Sequence, residues 1–230
     1  MISSVVFCPQ APVLVPDLAQ GAAAELDELR AACRTAIRDA VADGARPVLV
    51  AGGPTAAEYS ATTRGTFAGF GLPLEVPLGS DEPGPVLLPP ALTVGAWLVR
   101  DALGPNTGAA GISVTDADGR LPDFSGPDRA ALVVLGDGSA RRTEKAPGYL
   151  DARAGEFDDL LAAALREGSG GQLRRHWLDR YAAQELLVGG LAAWDAVATV
   201  VEPVAWHARL LYYGWPYGVG YFVALWTRRD

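Results

Sequence analysis

Histidine is nearly absent: the 230-residue chain holds two, His176 and His207. That scarcity caps most metal centres and imidazole proton shuttles, because histidine is the usual neutral-pH proton carrier and a frequent metal ligand. Cysteine is equally scarce. Cys8 and Cys33 stand alone, in neither a CxxC nor a zinc-type spacing, and nothing in that spacing calls for a disulfide. Lysine occurs once, as Lys145, among 19 basic residues, an arginine bias that reads as genomic base composition rather than function. Acidic residues number 27, for a formal net charge of −8 and a pI of about 4.8. That balance argues against a general nucleic-acid binder and against an anionic-membrane binder. Long uninterrupted apolar runs are missing too. The longest apolar-rich stretch, 182–201, carries Gln184, Glu185, Asp195 and the pair Gly189-Gly190, so it reads as buried core and not as a lipid-spanning helix. The opening Met1–Phe7 has no basic region and halts at Pro9, which predicts a strand and no signal peptide. A soluble, cytoplasmic protein without membrane partners is the expectation.

What is present is apolar material, half of the residues, enough for a sizeable core and incompatible with disorder or a disulfide-stapled mini-protein. Ser4–Cys8 predicts a strand and prolines 9, 12 and 16 an extended loop. Leu26, Leu29, Cys33, Ile37 and Val41 recur at helical spacing over 21–43, and Gly44 stops them. Pro47–Ala51 predicts the next strand, completing a strand–helix–strand unit that favours a mostly parallel sheet. Residues 52–90, rich in Gly and Pro, are expected to run over the surface. Further expectations are a helix over 90–103, strands over 109–114 and 131–135, and an amphipathic helix over 151–166. In that helix Phe157, Leu160, Leu161, Ala164 and Leu165 should face inward. One or two helices should fill 172–201, and an aromatic hairpin should run over 208–213 and 217–226 around Gly214-Trp215-Pro216. The whole, residues 1–230, is expected to be one α/β domain. Its central, mostly parallel sheet is flanked by helices and closes on a C-terminal antiparallel aromatic hairpin.

Ligands of open α/β sheets bind outside the carboxyl ends of the strands. Three loops qualify: Cys8–Pro12, Gly52–Thr55 and Gly136–Arg142. The second, Gly-Gly-Pro-Thr, permits close backbone approach, and Thr55 is placed to cap a following helix, although the lysine and second glycine of a P-loop are missing. The third offers Asp137 beside Arg141 and Arg142, which hint at an acidic ligand; a solvated turn is the plainer alternative.

The three loops, in this order, resemble class III extradiol ring-cleavage dioxygenases (catalytic beta subunit), a superfamily that includes the Memo-like proteins. The resemblance rests on four segments. They are Cys8-Pro9-Gln10-Ala11-Pro12 running on to Pro16, Val48–Pro54, Gly136-Asp137-Gly138-Ser139-Ala140 with the later Gly155-Glu156-Phe157-Asp158, and Tyr213–Tyr221. It implies the family fold and a ring-opening oxidoreductase with Fe(II) held by two histidines and a carboxylate, a further histidine serving as acid–base group. At the matching places this chain has Gln10, Gly52 or Gly53, and Ala140, while Glu185 is the best match to the carboxylate ligand. His176, at an exposed-looking helix start, and His207, before the hairpin, are poor substitutes.

No iron site is therefore expected, no other metal and no cofactor, since no GxGxxG follows the first strand. The expectation is a divergent, non-ring-cleaving member that keeps a crevice for a small acidic or aromatic molecule, lined by Gln10, Gly52, Gly53, Asp137, Ser139 and Glu185. Two enzymatic alternatives stand beside it. One is a dioxygenase with an atypical metal site built from Glu185 and Gln10. The other is different chemistry, with Cys8 as nucleophile, Glu185 or Asp137 as acid or base and Ser139 as hydroxyl donor. The aromatic C-terminus reads as core packing, or in part as a homo-oligomer contact.

Overall fold

Alternating apolar strands and amphipathic helices build a mixed sheet. The computed structural model describes residues 1–177 and 180–229, the side chains of residues 175–177 excepted. In chain order the elements begin with β1 (Ile2–Cys8), α1 (Pro16–Ala19), α2 (Asp27–Ala40), β2 (Arg46–Gly52), β3 (Ala57–Tyr59), β4 (Arg64–Thr66) and β5 (Glu75–Pro77). Then come α3 (Pro90–Leu103), β6 (Ala110–Val114), β7 (Ala130–Leu135), α4 (Ala154–Glu167) and α5 (Gly170–Trp177). The chain closes with α6 (Arg180–Glu185), α7 (Leu191–Val201), β8 (Trp206–Gly214) and β9 (Tyr221–Arg228).

Seven strands form one sheet in the order β3-β6-β2-β7-β1-β9-β8. Its centre, β6-β2-β7-β1, is parallel, and β3, β9 and β8 are added antiparallel at the edges. β1 and β7 are buried along their whole length, as parallel strands covered on both faces must be. One face packs on α2 and α3 through Val6, Cys8, Leu49, Val133 and Leu135. The other packs on α4 and α7 through Phe7, Val50, Leu132 and Val134, with α5 laid against those two helices. The chain runs outward from β1 to β2 and β6, then returns to lay β7 between β1 and β2. That reversal is a topological switch point, where loops part and leave room for a ligand.

Three expectations change. Residues 52–90 are not only surface chain: β3 joins the main sheet, and β4 pairs with β5 in a second, two-stranded sheet. Residues 172–201 contribute parts of three helices, because Gly189-Gly190 and the loop before them divide the apolar stretch. Leu160 points outward and is 53% exposed, the apolar stripe of α4 running through Phe157, Leu161, Ala164 and Leu165 instead. In the hairpin, Trp206, Tyr221, Phe222 and Trp226 are buried. The rings of Phe7 and Trp226 meet edge-on at 5.0 Å, while Tyr213 stacks on Phe222 at 5.0 Å. Trp215 and Tyr217 stay exposed, Trp215 beneath the Arg142 guanidinium and Tyr217 bonded to Glu25. No helix among the described residues is long and apolar enough to cross a membrane.

Candidate functional site

The loops that leave β1, β2, β6 and β7 enclose a crevice of about 810 Å³. Its floor is made where the loop after β7 meets the loop before α7. Asp137 donates its backbone N–H to the Gly189 carbonyl at 3.0 Å and accepts from the Gly189 N–H at 3.2 Å. The Gln10 side chain lies across Gly189 and Gly190, close enough that a Cβ at Gly189 would stand 2.5 Å from its Nε2. The Gln10 backbone N–H donates to Asp137 Oδ1 at 3.0 Å, tying the first loop to the third. Gly52 and Gly53 form one wall with Pro54, and Val114–Asp116 continue it. Gly53 is needed there, since a Cβ would sit 2.9 Å from that of Ser113.

Asp137 is the crevice's most unusual group. Burial pushes its carboxyl from 3.8 up to about 7, opposed only in part by the Gln10 N–H. A carboxylic acid that exchanges its proton near neutral pH, inside a crevice at strand ends, has the properties of a functional group. Tyr221 lines the same space, and burial together with the nearby Asp137 charge holds its phenol well above the usual range.

Of the six residues expected here, Gln10, Gly52, Gly53 and Asp137 come together; Ser139 and Glu185 do not. Ser139 is wholly buried below the floor. Its Oγ donates to the Leu186 carbonyl at 3.1 Å and accepts from the Arg141 N–H, while its own N–H donates to Asp158 Oδ1 at 2.8 Å. Glu185 turns outward to accept from Arg153 Nη1 at 2.8 Å, an ion pair that holds its carboxyl below the usual value. Its neighbour Gln184 lines the crevice instead. Thr55 caps no helix, because the turn enters β3, and its carbonyl accepts from Ser113 Oγ. Arg141 and Arg142 face away from the crevice: Arg141 donates to the Glu185 carbonyl, and Arg142 to the Ala154 and Gly155 carbonyls and the Tyr213 hydroxyl. They give no support to an acidic ligand.

Cys8 is wholly buried against Cys33, which pushes its thiol far up, so it has no nucleophilic character at neutral pH. Neither cysteine should react with an aromatic disulfide reagent in the native protein, and both should react in denaturant. Rapid labelling of Cys8 without denaturant would reverse that assignment.

Among the described residues no group of three or more His, Cys, Asp or Glu is placed to hold a metal ion. His207 stands exposed on edge strand β8, and the His176 side chain lies outside the described residues. The donor set at the crevice, the Gln10 and Gln184 amides, the Asp116 and Asp137 carboxyls, the Tyr221 phenol and glycine backbone, includes no imidazole and does not fit a ferrous centre, which takes imidazole and carboxylate ligands. Sequence reasoning missed Tyr221, Gln184, Asp116 and the 189–190 pair as parts of the site. The adjacent glycines were the one available signal, because two in a row permit close backbone approach. No protein-family model matches the chain, and no curated protein matches it.

Proposed function

We propose that the crevice over β1, β2 and β7 binds a small, partly aromatic molecule, in a divergent relative of the class III extradiol dioxygenases that does not cleave rings with iron. The observation that carries this reading is the convergence of Gln10, Asp137 and Tyr221 on one 810 Å³ space at the switch point, where the resembling family would keep histidines. The remaining lining is mostly apolar: Pro12, Pro54, Phe70, Val114, Leu187 and Leu191 among others. A mostly apolar wall with few convergent polar groups is the usual make-up of a small-molecule site.

Asp137 is the side chain in that space with acid–base capacity near neutral pH, and it replaces Cys8 and Glu185 as the group on which any non-redox chemistry would turn. The test is iron content and oxygen uptake on the full chain after incubation with Fe(II) and a catechol panel. The expected result is sub-stoichiometric iron and no catechol-dependent oxygen consumption, with catechol-sized aromatics still raising the melting temperature. Stoichiometric iron with ring opening would overturn it.

A further inference from the structure

A second cavity lies at the opposite end of the strands from the crevice, where β1 begins and β9 ends. It encloses about 490 Å³ and is lined by Ser3, Ser4, Arg129, Thr227, Arg228 and Arg229, with the end of α2 beside them. β1 slips register there: Ile2 stands opposite Ala130 and Ser4 opposite Ala131, which leaves Ser3 without a facing residue on β7. Such a bulge releases a side chain from the regular alternation of a strand. Ser3 is 8% exposed, and its hydroxyl is buried without a hydrogen bond among the described residues. The neighbouring hydroxyls are committed, Ser4 Oγ donating to the Ala40 carbonyl at 2.8 Å and Thr227 Oγ1 to the His207 carbonyl at 3.5 Å. Buried hydroxyls are ordinarily paired, so what occupies the cavity must supply the partner of Ser3.

The charges around this hydroxyl do not cancel. Asp39 and Asp43 also face the cavity, but Asp39 accepts from Arg209, and Asp43 from Arg129 and the Ala45 N–H. The Met1 amine donates to the Gly126 and Asp128 carbonyls. Arg228 and Arg229 remain. Both are exposed at the mouth, and neither guanidinium meets a carboxylate or a carbonyl among the described residues. A further cavity of about 630 Å³ adjoins, since Met1 and Arg228 line both. Its walls are largely apolar, with Ile2, Leu121, Phe124, Val204 and Trp206 among them, and its one carboxylate, Asp123, is bonded to Ser125.

Two uncommitted guanidiniums above a buried hydroxyl suit an oxygen dianion, and the guanidinium fork matches the geometry of a phosphate. A cationic ligand would meet the arginines, and a single carboxylate would leave one of them unmatched. We infer that this end of the sheet binds a phosphate monoester of an apolar alcohol. Its phosphate lies on Arg228, Arg229 and the Ser3 hydroxyl, its organic part in the apolar cavity against Phe124 and Trp206. The site is separate from the crevice and does not rest on the function proposed for it.

Isothermal titration of the full chain with phenyl phosphate, inorganic phosphate, benzoate and phenol tests it, at a pH above the second phosphate ionisation near about 6. Phenyl phosphate should bind, inorganic phosphate and benzoate each roughly tenfold more weakly, and phenol not measurably. Arg228→Gln and Arg229→Gln should each weaken phenyl phosphate by roughly tenfold, the usual effect of losing a charge-assisted hydrogen bond. Ser3→Ala should weaken it by roughly threefold without lowering the melting temperature of the free protein, since the hydroxyl has no bond to lose. Inorganic phosphate as tight as phenyl phosphate would overturn the apolar half of the assignment, and benzoate as tight would overturn the phosphate half. Phenyl phosphate affinity unmoved by both arginine substitutions would put the ligand elsewhere and overturn the site, as would silence from all four up to about 10 mM. A Ser3→Ala protein that melts lower yet binds as before would overturn the role given to Ser3.

Discussion

The unfolding free energy of this protein should fall as pH rises from about 4 to 7, the reverse of the usual trend. Asp137 and Asp158 both have their carboxyls raised from 3.8 to about 7 by burial. Asp158 is fully buried beneath the crevice floor, facing the Ser139 N–H, the Arg142 guanidinium at 3.7 Å and the neighbouring Asp159. Its Oδ2 has no hydrogen-bond partner, so Arg142 offsets the burial only in part. Asp137 faces the Gln10 N–H and the Tyr221 phenol. Each carboxyl keeps its proton longer folded than unfolded. Its contribution is therefore complete below about 3.8 and lost as pH climbs through 7. Within that window each group gives a slope approaching about −1.4 kcal/mol per pH unit. Asp151 and Glu185, held low by Arg153, act oppositely and only on the acid side. Urea unfolding across this range should show the decline. Asp137→Asn, an uncharged mimic of the protonated acid, should roughly halve the slope and be the more stable protein above neutrality. A flat profile for the parent chain would remove the claim that these carboxyls are held protonated.

How far the chain was legible follows from whether a signal was local. α3 begins and ends where Pro90 and Leu103 predicted, because proline at a first helical position and Gly104 after the end are local instructions. β2 and β7 differ from expectation by one residue at an end or two, their apolar runs being bounded by loop signals. Leu160 failed because a helical stripe about 100° wide leaves its border residues undecided, and packing against β8 and β9 decided them. The three strand-end loops converge as anticipated, since strand ends and glycines are visible in sequence. Ser139, Glu185 and Cys8 were misplaced for a different reason: their directions are set by Leu186 and Asp158, by Arg153, and by Cys33. Those partners lie between 19 and 47 residues away for Ser139 and 32 for Glu185, beyond the reach of any periodicity.

Gly190→Ala should cost roughly 2–5 kcal/mol, the sum of a left-handed backbone penalty and a steric one. Gly190 holds φ of +82°, and an added Cβ would lie 2.6 Å from the Leu135 carbonyl oxygen and 2.7 Å from the Gly136 Cα. Both are backbone atoms at the end of the central strand β7, so neither rotates away. Relief requires moving the start of α7 off the floor, which also displaces Gln10, whose Oε1 would stand 3.3 Å from the new methyl. Two substitutions separate these effects. Gly44 has nearly the same φ, +81°, with nothing within 4 Å of a Cβ, so Gly44→Ala should cost only about 1 kcal/mol of conformational strain. Gly52, in the facing wall, lacks a positive φ and has its nearest neighbour at 3.8 Å, so Gly52→Ala should be close to neutral while intruding into the crevice. Denaturant unfolding of the three variants ranks them directly. A Gly190→Ala protein no less stable than Gly44→Ala would mean that α7 is free to shift and that the crevice floor is not a fixed one.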